Sequence, residues 1–403
     1  MKRVVVTGLG VVTPIGIGKD EFWENLCQGK SGVEGETAEV RDFEIKQEYV
    51  EYDRSIQFAL KASAEALVDS GLFGALERDE ERAKAGVIIG SSKGGLGSLM
   101  QEMAGFVRGG PAAVSGHLYD NFLPNMAASR VAAAFGFHGP SEGIAAACAT
   151  GAIAIIQAYN LIREGRAEVM LAGATEASLV PLILAGFRNM GVISSSLCRP
   201  FDRNRDGFIP GEGCGVVVLE SLERAEKRGA KVYAQIKGYA LAADACHPTT
   251  FHPSGVSIAG AIKRALHQAQ LHPSEIDYIN AHGTGTRHND PLETRGIKMA
   301  LGEDAFTASL SSTKPLTGHL LGAAGSVEFI VCLLAMEVGF VPPTINLKNP
   351  DPECDLDYTP LKGKSRHIRN ALSLSFGFGG HISVLIASNI EYLIPPVCYW
   401  SDG

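Results

Sequence analysis

Strand-like and helix-like segments alternate along most of the 403 residues of this chain. Residues 3–7 and 85–89 are short apolar runs with β-branched side chains, each followed by glycine, which predicts two strands. Residues 57–70 between them place apolar side chains at helical spacing, which predicts a helix. Such alternation favours an α/β fold with largely parallel strands.

The same order of elements returns in the second part of the chain. A strand is predicted at 232–238 and a helix at 258–270, with further strands and helices after them. We therefore expect two related α/β halves, 1–227 and 228–403. The tail at 392–403 contains two adjacent prolines and is expected to be peripheral.

Composition argues against several classes of protein. A net charge of −8 does not suit a general nucleic-acid-binding surface. The N-terminus lacks the apolar run of a signal peptide, and no stretch reads as a transmembrane helix, so we expect no membrane association. Eight scattered cysteines without a CxxC pair predict reduced thiols. These features together predict a cytoplasmic protein.

A glycine pair after the first strand resembles half of a dinucleotide-binding fingerprint. Gly8 and Gly10 are predicted to form a turn, but Thr13 stands where the third glycine of that fingerprint belongs. A dinucleotide cofactor is therefore not expected.

A run of very small residues surrounds one cysteine. Residues 143–151 read Gly-Ile-Ala-Ala-Ala-Cys-Ala-Thr-Gly, and the good helix formers of 152–162 follow, with Gly165 as the stop. Cys148 is thus expected at the start of a helix, where positive partial charge favours a thiolate. A buried core cysteine remains the alternative on this stretch alone.

Three stretches of the second half carry further candidate chemistry. His282 follows a predicted strand and precedes Gly-Thr-Gly-Thr, which is how α/β folds present a side chain at a ligand site. Lys314 and His319 flank a turn that opens another small-residue helix. The glycine-aromatic loop at 375–380 can offer backbone N–H groups to an oxyanion.

Other local patterns compete with this set. Ser92 lies in a G-x-S-x-G sequence after a strand, as in the nucleophile elbow of hydrolases. Residues 311–314 fit S-x-x-K of the penicillin-binding class but lack its partner motifs. Cys246, His247 and His252 match no familiar zinc spacing, so a loop over the site is the better interpretation and no metal is expected.

The combination of one cysteine, two histidines, a lysine and a Gly-Phe-Gly loop is specific. From residue 4 to residue 380 the chain resembles the elongating β-ketoacyl-acyl carrier protein synthases of the thiolase-fold superfamily. The resemblance implies a layered α-β-α-β-α architecture built from the two halves. It also implies an acyltransferase that forms carbon–carbon bonds in fatty-acid or type II polyketide elongation, without a metal or organic cofactor.

Motif by motif, the resemblance implies roles for individual residues. Cys148 matches the acyl-accepting nucleophile, and His282 and His319 match the histidine pair of decarboxylation and condensation. Lys314 matches a lysine that supports the second histidine, and Glu328 a supporting carboxylate.

The loop and the pocket carry further implied roles. The N–H groups of Cys148 and Phe378 match the oxyanion hole. Leu123, with its neighbour Phe122, falls at the expected wall of the acyl pocket. The implied gating loop consists of Phe376, Gly377, Phe378, Gly379 and Gly380.

Some stretches depart from the family pattern. The segment at 48–53 is acidic, where relatives carry basic residues for docking an acidic carrier protein. Arg199, Arg54 and Lys61 remain as candidates for that contact. We therefore keep an alternative to the fatty-acid enzyme, a specialised polyketide or polyene ketosynthase paired with a chain-length-factor-like subunit. The partner protomer is accordingly either a second copy or a homologous subunit.

Overall fold

The computed structural model describes residues 2–76 and 78–390, so the predicted peripheral tail at 392–403 lies outside the described residues. The strands are β1 (Val4–Thr13), β2 (Gly16–Ile17), β3 (Ala85–Gly90), β4 (Ser141–Glu142), β5 (Val169–Glu176), β6 (Gly213–Ser221), β7 (Ala234–Ala243), β8 (Tyr278–Asn280), β9 (Ser309–Ser311), β10 (Phe340–Val341), β11 (Lys364–Ser365), β12 (Asn370–Gly377) and β13 (His381–Ser388). The α-helices are α1 (Lys19–Cys27), α2 (Arg54–Asp69), α3 (Asp79–Arg82), α4 (Leu96–Gly109), α5 (Leu118–Phe122), α6 (Met126–Phe135), α7 (Thr150–Arg163), α8 (Pro181–Asn189), α9 (Leu222–Lys227), α10 (Val256–Ala269), α11 (Asn289–Leu301), α12 (Lys314–Thr317) and α13 (Ala324–Val338).

Within the described ranges, eleven strands form one continuous mixed sheet. The order is β4-β3-β5-β6-β1-β7-β13-β12-β8-β9, with β2 paired to β1. Only the outer pairs, β3 with β4 and β5, and β8 with β9 and β12, run parallel. The predicted predominance of parallel strands is therefore wrong. One reason is the three-residue connection 378–380 between β12 and β13, since parallel neighbours need a much longer crossover.

The sheet consists of two parts, one from each half of the chain, with five strands each besides the short β2. They meet where β1 pairs with β7, and that junction holds only two residue pairs, Val5 with Gln235 and Val6 with Ala234. The predicted boundary near residue 228 falls between α9 and β7.

The helices complete a layered structure. Helices α7 and α13 pack on each other and contact strands of both halves, so they form the central layer. Helices α2 and α6 cover the outer face of the first half, and α10, with α11 packed on it, covers that of the second. The expected α-β-α-β-α architecture is confirmed. Cys148 immediately precedes a central helix, so its position is fixed by contacts with both halves.

The first glycine pair is not a turn. Gly8 and Gly10 lie inside β1, where a Cβ on Gly10 would come within 1.8 Å of the carbonyl oxygen of Ala62 in α2. A Cβ on Gly8 would lie 2.2 Å from the carbonyl oxygen of Ala66. These glycines allow a helix to pack closely on the strand, which corrects the turn prediction.

One stretch is long and apolar enough to cross a membrane, contrary to the sequence-based expectation. Leu321–Val338 has 18 residues and a mean hydropathy of 1.8, yet 89% of it is buried inside the fold. It comprises α13 and the turn before it, so its hydrophobicity reflects contacts with strands and with α7 in the central layer.

Candidate active site

A sharp turn presents Cys148 just before α7. The backbone of Ala147 is left-handed, with φ of 48°, and α7 begins two residues after the cysteine, at Thr150. The Thr150 hydroxyl donates to the Ala147 carbonyl at 2.7 Å and accepts from the Ala146 N–H at 2.8 Å. These two bonds hold the strained turn in place. The predicted location of Cys148 at a helix start is therefore confirmed.

The protonation state of Cys148 differs from the sequence-based expectation. Burial raises the pKa of the thiol to about 11, although the ammonium groups of Lys93 and Lys314 act in the opposite direction. The loss of hydration thus outweighs the nearby positive charge, and the neutral thiol is the resting form at neutral pH.

His282 lies just beyond the end of β8, as predicted. Its backbone N–H donates to Glu293 Oε1 at 2.6 Å, and the N–H of Gly283 donates to Oε2 at 2.8 Å. Lys314 Nζ lies 3.5 Å from His282 Nδ1 and donates to the His282 carbonyl oxygen. Since Nδ1 faces a donor, the ring proton belongs on Nε2. Glu293 was missed by the sequence analysis, because nothing local links a mid-helix glutamate to a loop.

Lys314 supports the first histidine rather than the second, which corrects the role implied by the resemblance. Its ammonium group binds Glu328 on one side and His282 on the other. The Lys314 side chain is 1% exposed and that of Glu328 4% exposed. Burial raises the pKa of Glu328 to about 7 against the opposing effect of Lys314. Each of the two buried charges is therefore stabilised by the other.

His319 follows α12 and is tied to the first half of the chain. Its N–H donates to the Ile209 carbonyl at 2.7 Å, and its Nδ1 accepts from the Leu321 N–H at 3.3 Å. The ring lies edge-on to Phe208, with centroids 4.9 Å apart, and 5.6 Å from the His282 ring. As in His282, the accepting Nδ1 leaves Nε2 with the proton.

Both imidazoles are held neutral. Burial lowers the pKa of His282 and of His319 well below 6.5, and the Lys314 cation lowers both further. Two neutral rings with Nε2–H groups can donate hydrogen bonds without carrying a full charge. Such donors suit the histidine pair of decarboxylation and condensation that the resemblance implies.

The glycine-aromatic segment approaches Cys148 closely. Phe376 and Gly377 belong to the end of β12, so only 378–380 form a turn, with φ of 90° at Gly379 and 80° at Gly380. A Cβ on Gly377 would lie 3.2 Å from the Cys148 nitrogen and 2.7 Å from the Ala146 oxygen. Glycine at 377 therefore lets the start of the turn lie against the cysteine amide.

One cavity of about 1360 Å³ brings most of the predicted site together. The predicted residues that line it are Cys148, His282, His319, Phe376, Gly377 and Phe378. Ser92 also lines it, but its hydroxyl donates to the Glu176 carboxylate rather than to a histidine base. The hydrolase alternative therefore lacks the histidine base of a nucleophile elbow here.

The two residues predicted at the acyl-pocket wall do not border this cavity. Leu123 and Phe122 are not among the residues that line the cavity. The end of α5 is instead held against the turn at 94–95, where the Gly95 N–H donates to the Phe122 carbonyl at 3.1 Å. A role of these two residues at the acyl pocket therefore stays a prediction.

The predicted docking cations form ion pairs or hydrogen bonds with groups of the same chain. Arg54 binds the carboxylate of Glu212 at 2.7 and 3.0 Å and donates to the Val40 carbonyl. Lys61 pairs with Glu65 at 3.1 Å. Arg199 lies 4.0 Å from Asp206 and binds Ser196. For all three residues, docking stays a prediction.

Comparison with known families agrees with the fold and the site. The family described as "Beta-ketoacyl synthase, N-terminal domain" matches residues 1–49 and 41–225, and "Beta-ketoacyl synthase, C-terminal domain" matches 233–348. The chain belongs to the β-ketoacyl synthase family. The predicted class, a carbon–carbon bond-forming acyltransferase of the elongating type, is thereby confirmed.

Two kinds of relative are similar to this synthase. The "3-oxoacyl-[acyl-carrier-protein] synthase 2" of Synechocystis is 43% identical over 94% of this chain and 96% of its own length. A solved type II polyketide ketosynthase, described as in complex with its acyl-carrier protein and bound to the hexaketide, is 38% identical with a TM-score of 0.89, over 97% of this chain and all of that one. "The ishigamide ketosynthase/chain length factor" is 32% identical with a TM-score of 0.90 over the same shares.

Proposed function

We propose that this chain catalyses the decarboxylative Claisen condensation of a Cys148-bound acyl chain with a malonyl group on an acyl carrier protein. The observation that carries the proposal is that Cys148 and two neutral histidines, His282 and His319, line one cavity. Either fatty-acid or type II polyketide elongation uses this reaction.

In the first step, the Cys148 sulfur attacks the thioester of an acyl-carrier protein. The tetrahedral oxyanion is stabilised by the N–H groups of Cys148 and Phe378. The carrier's thiolate then leaves and takes up the proton lost by Cys148. Since one thiol is exchanged for another, the raised pKa of Cys148 demands no net loss of a proton.

In the second step, the malonyl group loses carbon dioxide. The electron pair of the broken carbon–carbon bond becomes an enolate, whose oxygen accepts hydrogen bonds from Nε2–H of His282 and His319. A neutral donor suits this task, because an imidazolium would hand over its proton and quench the carbanion. Lys314 acts from behind His282 as a positioning residue.

In the third step, the carbanion attacks the acyl-Cys148 carbonyl. The same two N–H groups stabilise the second oxyanion, which collapses to release the Cys148 thiolate and a β-ketoacyl carrier protein. The thiolate regains a proton from solvent. Removing a donor of this kind typically slows the reaction by about 10²–10³.

We place the carrier protein at the solvent side of the cavity. Arg287 and His288 line the cavity and are exposed, so the opening lies beside them. An acidic carrier would meet positive charge there, with Arg199 and Lys61 as further candidates. Arg287→Glu should raise KM for the carrier-bound donor while leaving KM for a small pantetheine thioester unchanged.

A homologous partner, either a second copy or a chain-length-factor-like subunit, would bind at the β4 edge. Strand β4 ends the sheet and both of its residues are exposed, so its backbone groups can pair with another strand. Native mass spectrometry after co-expression with homologous subunits distinguishes the two cases.

Acyl trapping tests the proposed reaction directly. After incubation with an acyl-carrier protein, peptide mass spectrometry should find the acyl group on Cys148. Label on Ser92, or none, would contradict the proposal. A cytoplasmic location is part of the proposal, supported by seven free cysteines among the residues that the structure describes.

A further inference from the structure

Lys93 is a cation on the cavity wall that the proposed steps do not use. It lines the cavity together with Cys148 and His319. Its Nζ donates to Ser92 Oγ at 2.8 Å and lies 5.7 Å from the centroid of the Phe187 ring. Within residues 2–76 and 78–390 it takes part in no salt bridge. An ammonium group has three N–H donors, so two remain for something inside the cavity.

The position of Lys93 is close to the reacting centre. Phe187 contacts Phe208 edge-on at 5.5 Å, and Phe208 contacts His319 at 4.9 Å. This aromatic wall connects the ammonium group to the catalytic histidine. In agreement, the Lys93 charge lowers the pKa of both Cys148 and His319. A chain bound to Cys148 along this wall would pass within reach of Lys93.

Hydrogen bonds behind Lys93 hold it in place. Glu176 is fully buried on β5 and accepts from the Ser92 hydroxyl, from the Ser92 N–H at 3.0 Å and from the Gly322 N–H at 3.1 Å. The Ser92 proton is thus committed to Glu176, and a lone pair on its oxygen is left for Lys93. The lysine is therefore directed by a fixed acceptor rather than free to turn to solvent.

We propose that Lys93 is a specificity-determining residue, which donates a hydrogen bond to an oxygen of the acyl chain on Cys148. The synthase would then prefer an acyl chain that carries a ketone or hydroxyl group to a fully saturated chain. This inference rests on the proposed function, because it requires an acyl chain on Cys148.

The preference follows from desolvation. A saturated chain that fills the cavity removes water from the ammonium group and offers no acceptor in return. A chain with a suitably placed ketone replaces the lost water. A site built to bind an oxygen therefore discriminates against the analogue that lacks it. Met190 and Val192, which also line the cavity, are apolar side chains.

The test compares octanoyl pantetheine thioester with a set of oxo-octanoyl pantetheine thioesters. Each member of the set carries a single ketone, at a different carbon of the chain. Transfer to Cys148 of the intact protein is followed by mass spectrometry, which gives kcat/KM for each donor. The wild type should prefer at least one ketone donor. Lys93→Met should lose about tenfold of that preference, chiefly by slowing the ketone donor. Lys93→Gln, which keeps a donor without the charge, should retain part of it.

A control variant and several distinct outcomes show whether the inference holds. Lys84→Met removes a surface lysine paired with Glu168 and should change neither donor. An unchanged ketone-to-alkyl ratio in Lys93→Met, or no ketone preference in the wild type, overturns the inference. So does an equal slowing of every donor, which would mean that the charge acts on Cys148 or on the malonyl group. Failure of the proposed function looks different, since no donor would then label Cys148 in any variant.

Discussion

The Nζ atom of Lys314 lies 3.5 Å from Nδ1 of His282 and donates to the carbonyl oxygen of the same residue. On its other side the ammonium group binds Glu328. A cation therefore stands behind a histidine that must remain neutral, and a carboxylate compensates that cation in the buried layer. This arrangement keeps the proton of His282 on the nitrogen that is free to face the cavity.

Removal of Lys314 should destabilise the fold. Lys314→Met leaves the Glu328 carboxyl buried without its cation, and breaking such a pair typically costs about 3–5 kcal/mol. Urea unfolding measures this loss. The double variant Lys314→Met/Glu328→Leu removes both charges and should recover most of the stability. If the single and double variants lose equal amounts of unfolding free energy, the loss comes from packing and not from an uncompensated charge, which would contradict this prediction.

The pH dependence of decarboxylation should reflect neutral histidines. Because the pKa values of His282 and His319 are well below 6.5, the neutral rings persist as the pH falls through 6.5. Malonyl-carrier decarboxylation by the Cys148→Ala variant should therefore lose activity only at lower pH. In Lys314→Met the missing cation should raise the pKa of His282 and move the acid limb upward. If the Cys148→Ala variant with Lys314 intact already lost decarboxylation activity at or above pH 6.5, the assignment of neutral histidines would be contradicted.

The two partial reactions should separate by mutation. Cys148→Ala should abolish elongation and leave decarboxylation of malonyl-carrier protein measurable, because the histidine pair is intact. His319→Ala should remove decarboxylation while acylation of Cys148 survives. Carbon dioxide release and peptide mass spectrometry follow the two steps separately. If both folded variants lose both reactions, the division of labour is wrong.

The substitution Gly377→Ala should disturb the proposed oxyanion site. The added Cβ would lie 2.7 Å from the Ala146 oxygen and 3.2 Å from the Cys148 nitrogen, so the backbone at 377–378 must shift. Acylation of Cys148 should slow by about 10²–10³ if a donor is displaced. Gly186→Ala on α8 is the matched control, because no atom lies within 4 Å of its added Cβ. It should leave acylation unchanged.

Local pattern was enough for the α/β class, and local pattern together with the family resemblance was enough to select the candidate reacting side chains. The small residues around Cys148 and the helix after it are encoded in one continuous stretch, 143–163, and the helix at 150–163 begins close to where it was predicted. His282 and His319 stand out because glycine-rich turns flank them. Such features depend on local backbone preference, which the sequence carries directly.

What the tertiary structure decided depends on residues far apart in the chain. The strand directions follow from which strands pair, and these pairings join segments up to hundreds of residues apart. Only the folded chain places Glu293 beneath His282, and turns Lys314 toward His282 rather than His319. The raised pKa of Cys148 likewise comes from burial that no local pattern contains. The sequence by itself therefore determined which side chains are candidates for the reaction, whereas packing decided their charges and partners, because hydration and Coulomb interactions depend on the three-dimensional surroundings.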